Sequence, residues 1–100
     1  MTTPHDPRHR AATLLVQGGV ERSHHGETAE ALYLTSGFVY DSAEQAEATF
    51  TNQVVHYQYS RFGNPTVAML ERRLALVEGA EACRATATGM AAVHAALLSH

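Results

Sequence analysis

The chain has 100 residues, of which 45% are hydrophobic and 17% charged, and its formal net charge is -3 at pH 7. This composition is typical of a folded globular protein and not of a disordered tail, and the net negative charge gives no basis for nucleic-acid binding. No apolar run approaches membrane-spanning length, and the start lacks the shape of a signal peptide. Cys83 is the only cysteine, so no intrachain disulfide can form, and we expect a cytoplasmic protein.

The first half of the chain predicts short elements joined by loops. A mobile lead-in precedes a helix that Gly18 and Gly19 end, and an exposed polar loop and an extended segment interrupted near Gly37 follow. Ser42 then supplies the N-cap of a second helix. In chain order, the five predicted segments are residues 1–10, 10–17, 21–28, 31–40 and 43–50.

Neither pair of neighbouring histidines predicts a metal site. His5 and His9 stand four residues apart, but the prolines beside them disfavour the helix that would bring both onto one face. His24 and His25 are adjacent, so they point in different directions on either regular element. Solvent-exposed histidines are the favoured interpretation of both pairs.

The stretch from Tyr57 to Thr66 indicates phosphate binding. If its first half is extended, residues two apart face the same way, so Tyr59 and Arg61 point to one side. A guanidinium is a planar fork of donors that matches phosphate oxygens, and a tyrosine hydroxyl adds a third donor. The pattern therefore predicts an extended phosphate-binding arm.

The end of the same stretch predicts a turn and a long helix. Gly63 frees the backbone to turn, Asn64 is a good N-cap, and Pro65 fits the first helical position. The helix should run to about Val77 and end before Gly79. On pattern alone, the alternative to phosphate binding by residues 57–66 is a Tyr/Arg-rich loop that merely caps this helix.

Apolar residues occupy two sides of this predicted helix, and Arg72 is expected to be exposed. Two apolar sides suggest two neighbours, of which one could be the parent sheet and the other a partner subunit. A core helix with scattered surface residues fits the same pattern equally well. The residues on the first side are Val67, Leu70, Leu74 and Val77, and those away from it are Met69 and Leu76.

The last twenty residues predict a strand at 81–87, a turn at 88–89 and a helix at 90–98. A helix that starts at a glycine turn presents unpaired amide hydrogens and the positive end of its dipole, which together suit a phosphate. Cys83 lies in the predicted buried strand, so packing is favoured over reactivity. His94 is expected to be packed or half-exposed, and not a catalyst.

Two motifs carry a resemblance to a known family. Tyr-Ser-Arg-Phe-Gly-Asn-Pro-Thr at 59–66, followed by Thr-Gly-Met-Ala-Ala at 88–92, resembles the N-terminal part of the Cys/Met-metabolism enzymes that use pyridoxal 5′-phosphate, and the similarity extends from about Thr13 to the end. It implies the α/β architecture of the aspartate-aminotransferase type (fold type I). Residues 1–64 would be an N-terminal arm with short helices and the phosphate-binding segment, and residues 65–100 would begin the large cofactor domain.

The resemblance also implies the site residues. Tyr59 and Arg61 would reach into the neighbouring subunit and hold the cofactor phosphate there, so self-association is expected, in a homotetramer. Gly89 and Met90 would bind the phosphate of their own subunit through backbone amides. Tyr59 would in addition take part in proton movements near the amino group.

All seven basic residues are arginines, so the sequence contains no lysine. Pyridoxal phosphate enzymes hold the aldehyde of the cofactor on a lysine amine, which serves also as acid and base. The chain therefore contains no catalytic residue of this kind. We expect it to be the inactive N-terminal portion of a protein roughly four times longer.

Within the family, residues 18–23 and 30–43 look most like the O-succinylhomoserine sulfhydrylases. Many cystathionine synthases and lyases carry prolines where this chain has Ala31 and Leu32. The resemblance thus implies γ-replacement of succinate by sulfide on an acylated homoserine, giving homocysteine for methionine synthesis. Cystathionine γ-synthase or γ-lyase activity is the alternative within the family, and a non-catalytic phosphate-binding or dimerisation module is the alternative outside it.

Overall fold

The computed structural model describes residues 8–100, in which four helices are connected by irregular segments. An antiparallel bridge joins Gly37 and Tyr59. Most of the predicted lead-in, including His5, lies outside the described residues. The helices are α1 (Ala11–Gln17), α2 (Ala43–Phe50), α3 (Pro65–Glu78) and α4 (Gly89–Leu98).

Local capping determines where three of the helices begin. The side chains of Ser42, Asn64 and Thr88 each accept a hydrogen bond from a backbone N–H in the first turn of α2, α3 and α4. Gly79 ends α3 in the left-handed conformation, with φ 64°. The four predicted helices are therefore confirmed, and their bounds lie within about one residue of those expected.

The buried core lies where α1 packs against α3. Leu14, Val20 and Met69 are its buried apolar residues, with exposed fractions of 8%, 2% and 5%. Gly19, between Leu14 and Val20, adopts a φ of 71°, which turns the chain sharply at the end of α1. This turn brings the backbone of residues 18–20 against α3.

Two arginines of α3 hold that turn. Nε of Arg72 donates to the carbonyl of Gly19 at 3.3 Å, and Nε of Arg73 donates to the carbonyl of Gly18 at 3.1 Å. Arg73 also forms a two-point ion pair with Glu30, with N–O distances of 2.9 and 3.2 Å. Because of this pairing, the pKa of Glu30 lies below its usual value.

The predicted exposure of Arg72 on α3 was wrong. Arg72 is half-buried and not exposed, since it lies against the end of α1 and is within 3.3 Å of Glu21. Met69, on the second apolar side, lies in the core, whereas Val67 and Leu70 on the first side are 43% and 50% exposed. The partner of α3 within the described residues is α1, and α1 packs on the side that carries Met69 and the arginines.

The strand predicted at 81–87 is absent from residues 8–100, where this segment is irregular. A strand needs a neighbouring backbone with which to pair, and here the polar groups bond to side chains instead. The N–H of Ala85 donates to Glu71 at 2.7 Å, and the carbonyl of Cys83 accepts from Arg84 at 3.1 Å. Cys83 is consequently half-buried and not buried as predicted.

Helix α4 is exposed along its whole length within the described structure. Met90, Val93 and Leu97 are 74%, 50% and 72% exposed, and His94 is exposed and not packed. The radius of gyration, 15.6 Å, exceeds the roughly 13 Å of a compact chain of this length. Among residues 8–100, no helix is both long and apolar enough to cross a membrane.

The loop before the extended segment is closed by one carboxylate. Glu27 accepts hydrogen bonds from the N–H and the hydroxyl of Ser23, both at 2.7 Å. The backbone bond, followed by the hydroxyl bond, lowers the pKa of Glu27 from 4.5 to about 2. Because the pKa of Glu27 is depressed in the folded state, its carboxylate stabilises the folded loop fully above pH 4.5. This stabilisation is lost as the pH falls through about 2.

We expect the Ser23–Glu27 loop to remain closed at pH 4 and to open as the pH approaches 2. The measurement is an NMR titration of the Glu27 carboxyl carbon together with the Ser23 amide. Glu27→Gln is the matched control, since its amide cannot titrate and the Ser23 signal should lose its acid transition. A Glu27 midpoint near the ordinary 4.5 would contradict the closed loop.

A second prediction concerns the contact of Gly19 with α3. A Cβ at Gly19 would lie 3.1 Å from Cβ of Arg72, whereas one at Gly26, whose φ is also near 70°, would meet nothing within 4 Å. Both alanine variants have an unfavourable backbone, but only Gly19→Ala also displaces α3. We expect losses in the free energy of unfolding of about 2 kcal/mol for Gly19→Ala and about 1 kcal/mol for Gly26→Ala, measured by urea unfolding. Equal losses would show that the close approach has no energetic weight.

Candidate phosphate-binding site

Tyr59 and Arg61 lie in a tight turn and not on one extended arm. The N–H groups of Phe62 and Gly63 donate to the carbonyl of Tyr59 at 2.9 and 3.1 Å, which closes the turn immediately after the bridge residue. The predicted arm is therefore wrong beyond Tyr59. Gly63 closes the turn with its N–H, and its φ is not in the left-handed region.

The turn nevertheless brings the two predicted side chains together. Cζ of Arg61 lies 5.3 Å from the ring centroid of Tyr59 and 5.0 Å from that of Phe62. These are cation–π distances, at which the aromatic faces stabilise a guanidinium without occupying its N–H donors. The result is a cationic group with aromatic support at the tip of an exposed turn.

Arg61 is the arginine whose donors are available at this turn. Within residues 8–100, its guanidinium has no carboxylate within ion-pair distance and no hydrogen-bond acceptor, whereas Arg73 binds both Glu30 and a backbone carbonyl. The hydroxyl of Tyr59 likewise has no partner in this part of the chain, and its side chain is exposed. Both groups can bind an anion without first breaking an internal contact.

The turn is attached to the extended segment before α2. The N–H of Ser60 donates to the carbonyl of Ser36 at 2.8 Å, and its hydroxyl donates to the carbonyl of Thr35. One step further, the N–H of Phe38 donates to the carbonyl of Gln58 at 3.3 Å. Ser60 lies between Tyr59 and Arg61, so these bonds fix the backbone that displays both side chains.

The second half of the candidate site is the start of α4. The Thr88 hydroxyl accepts from the N–H of Ala91 at 3.0 Å, and the Thr86 hydroxyl donates to the carbonyl of Thr88 at 2.7 Å. The N–H groups of Gly89 and Met90 are left without a partner in the described chain, as geometry requires of the first residues of a helix.

The surroundings of α4 leave these amides accessible. A Cβ built at Gly89 would meet nothing within 4 Å, so the approach to its backbone is open. Thr88 was predicted only as part of a turn, although a threonine directly before an apolar helical run is a recognisable N-cap signal. Two amides without a partner in residues 8–100 therefore lie at the positive end of this helix, an arrangement that suits an anion.

The cavity beside Arg61 does not include the start of α4. Arg61 lines a cavity of about 400 Å³ that also includes Glu71, Arg84 and Ala85, and neither Gly89 nor Met90 is among its lining residues. Tyr57, on its edge, packs against Phe38 with 5.4 Å between the ring centroids, and burial raises the pKa of its phenol. No group of three metal-ligating side chains occurs within residues 8–100.

The sequence of the chain is similar to those of known enzymes. The model of the family described as Cys/Met metabolism PLP-dependent enzyme matches residues 12–100. O-succinylhomoserine sulfhydrylase of Mycobacterium tuberculosis (strain CDC 1551 / Oshkosh) is 59% identical over 86 residues, which are 86% of this chain and 21% of that protein. L-methionine gamma-lyase of Fusobacterium nucleatum subsp. polymorphum is 39% identical over 85 residues, which are 85% of this chain and 22% of that protein.

A solved structure shows the same local fold. The putative O-acetylhomoserine (thiol)-lyase of Campylobacter jejuni, whose structure contains N′-pyridoxyl-lysine-5′-monophosphate at position 205, matches with a TM-score of 0.68 and 29% identity. The match covers 75% of this chain and 19% of that one. The expected fold class is thereby confirmed, and the chain spans about a fifth of the length of the proteins it matches.

Proposed function

Because the chain belongs to the Cys/Met-metabolism family of PLP-dependent enzymes, we propose that the full-length protein catalyses γ-replacement on O-succinylhomoserine. In this reaction sulfide displaces succinate from the γ-carbon, and homocysteine is formed for methionine biosynthesis. The observation that carries this proposal is the 59% identity to an O-succinylhomoserine sulfhydrylase. The acceptor would then be an acylated homoserine and the sulfur donor inorganic sulfide.

Elimination is the second candidate activity. The 39% identity to an L-methionine gamma-lyase favours it, because this relative matches 85% of the chain, nearly the same share as the 86% that the sulfhydrylase matches. Cystathionine γ-synthase is a further alternative, which differs in using cysteine as the sulfur donor. Sulfide replacement ranks first because identity to the sulfhydrylase exceeds identity to the lyase by 20 percentage points, 59% against 39%.

The cofactor of the family is pyridoxal 5′-phosphate, which acts as an electron sink for carbanions of the bound substrate. The groups of this chain fit its phosphate. Arg61 and Tyr59 retain free donors, and the amides of Gly89 and Met90 lie at the positive end of α4. We assign phosphate binding to these four residues, and the lysine that holds the cofactor to a part of the protein outside this chain.

We further propose that Tyr59 and Arg61 serve the neighbouring subunit. The turn that carries them and the amides of α4 are separate elements, and the cavity next to Arg61 omits Gly89 and Met90. A pocket assembled from two subunits accounts for both halves of the phosphate site. Self-association would then be necessary for cofactor binding. Each chain would contribute the amides of Gly89 and Met90 to its own pocket and the side chains of Tyr59 and Arg61 to the pocket of its neighbour.

The choice of sulfur donor tests the proposed reaction. With O-succinylhomoserine as the acceptor, we expect the full-length protein to form homocysteine from sulfide faster than it forms cystathionine from cysteine. The measurement compares initial rates of both products at equal donor concentrations, and methionine breakdown to a keto acid is assayed in parallel. A tenfold advantage for cysteine would replace the proposal by the synthase, and rapid methionine cleavage would replace it by the lyase.

A complementation experiment tests the role of Arg61. Loss of a charge-assisted two-point contact should cost on the order of 2 kcal/mol, so Arg61→Ala should weaken cofactor binding by tens of fold without unfolding the protein. The variant is mixed with one that lacks the cofactor-binding lysine, under conditions that exchange subunits. If the turn acts across the interface, a mixed dimer contains one pocket with both defects and one with none, so activity should partly return.

The control for this mixing is Arg84→Ala, which removes an exposed arginine that lines the same cavity but bonds to the carbonyl of its neighbour Cys83. It should bind the cofactor as tightly as the unmodified protein does. If exchanged subunits of the Arg61 variant and the lysine variant restore no activity, Arg61 acts within its own subunit.

A further inference from the structure

We propose that Asn64 is a positioning residue for the phosphate contact of Arg61, in addition to capping α3. This inference rests on the proposed function, because it concerns how the phosphate-binding turn is held. Asn64 is buried, with an exposed fraction of 7%, and it lies between the turn and the first helical residue. Its side chain has more partners than a helix cap requires.

The two ends of the Asn64 amide bond to different parts of the molecule. Oδ1 accepts from the N–H of Thr66 at 2.8 Å, which is the capping contact. Nδ2 donates to Oγ of Ser60 and to the carbonyl of Tyr33, each at 2.9 Å. The acceptor end therefore determines where α3 starts, and the donor end binds the residue between Tyr59 and Arg61.

The bonds of Ser60 transmit this constraint to the turn. Its hydroxyl accepts from Asn64 and donates to the carbonyl of Thr35, and its N–H donates to the carbonyl of Ser36. With these three contacts in place, the backbone of Ser60 cannot rotate without breaking a hydrogen bond, and the bond from Asn64 is half-buried. A two-point contact between guanidinium and phosphate needs such a fixed backbone, because its geometry is planar and directional.

Replacing Asn64 by serine separates the two roles. Ser42 shows within this chain that a serine hydroxyl can cap a helix, with its Oγ 3.1 Å from the N–H of Gln45. Asn64→Ser should thus retain the cap of α3, while its shorter side chain has no amide to donate to Ser60 and Tyr33. The substitution is neutral, so it adds no charge that would itself repel a phosphate, as Asn64→Asp would.

The experiment measures the affinities of the full-length apoprotein for pyridoxal 5′-phosphate and for pyridoxal, which lacks the phosphate. We expect Asn64→Ser to weaken binding of the phosphorylated cofactor about tenfold and to leave pyridoxal binding unchanged. Ser60→Ala should give the same pattern, since it removes the partner of the Asn64 donor without touching the cap. Ser42→Ala, which removes the cap of α2, is the matched control and should change neither affinity.

Combination with Arg61→Ala decides whether Asn64 acts through the arginine. The double variant should bind no more weakly than Arg61→Ala alone, because the positioned group is already absent. Additive losses, or an unchanged ratio of the two affinities in Asn64→Ser and Ser60→Ala, would overturn the positioning role while leaving the proposed function in place. If Asn64→Ser does not fold, Ser60→Ala carries the same test. If Arg61→Ala itself leaves the ratio unchanged, the phosphate assignment in the proposed function fails, and this inference fails with it.

Discussion

The arrangement of the candidate site depends on one buried side-chain amide. Asn64 joins the start of α3, the turn at Ser60 and the segment at Tyr33, and every one of its contacts measures 2.8–2.9 Å. A second bond strengthens the same junction, because the N–H of Tyr33 donates to the hydroxyl of Thr66 at 2.9 Å. Leaving such a buried group unpaired costs about 1–3 kcal/mol, so the three segments form or separate together. The turn is therefore tied to the start of the helix that follows it.

Arg61, Arg72 and Arg73 differ in the partners of their guanidinium groups. Arg72 and Arg73 project toward the end of α1, where they bind backbone carbonyls and the acidic side chains of the following segment. These contacts occupy part of their donors and hold both side chains against the end of α1. Arg61, in contrast, lies at a turn whose nearest ring systems are Tyr59 and Phe62, and aromatic faces do not compete for hydrogen-bond donors. The same residue type thus stabilises the fold at one place and remains available for binding at another.

Much of this could be predicted from the sequence because it is local. The caps at Ser42 and Asn64, the glycine at the end of α3 and the apolar run of α4 depend on residues only a few positions apart, and the helices they predict are present. The pairing of Tyr59 with Arg61 was predicted for the wrong reason, since the turn brings them together and not the alternation of a strand. The acceptor bond of Asn64 is likewise local, whereas its donor bond to Tyr33 spans 31 positions and leaves no periodic signal. The predictions of a strand at 81–87 and of an exposed Arg72 failed for the same reason: each depends on which distant segment lies alongside.

The exposed cation at position 61 is an arginine, and arginine differs from lysine in its reactivity toward an aldehyde. An aldehyde condenses readily with an uncharged amine, and a lysine placed beside a phosphate that carries an aldehyde-bearing ring could capture the ring in a wrong position. A guanidinium remains protonated under physiological conditions and offers no free electron pair to the carbonyl carbon. In the proposed phosphate contact, Arg61 would supply positive charge and directional donors near the carbonyl while remaining chemically inert toward it. Since none of the 100 side chains is a lysine, this part of the protein has no side-chain amine to compete for the aldehyde.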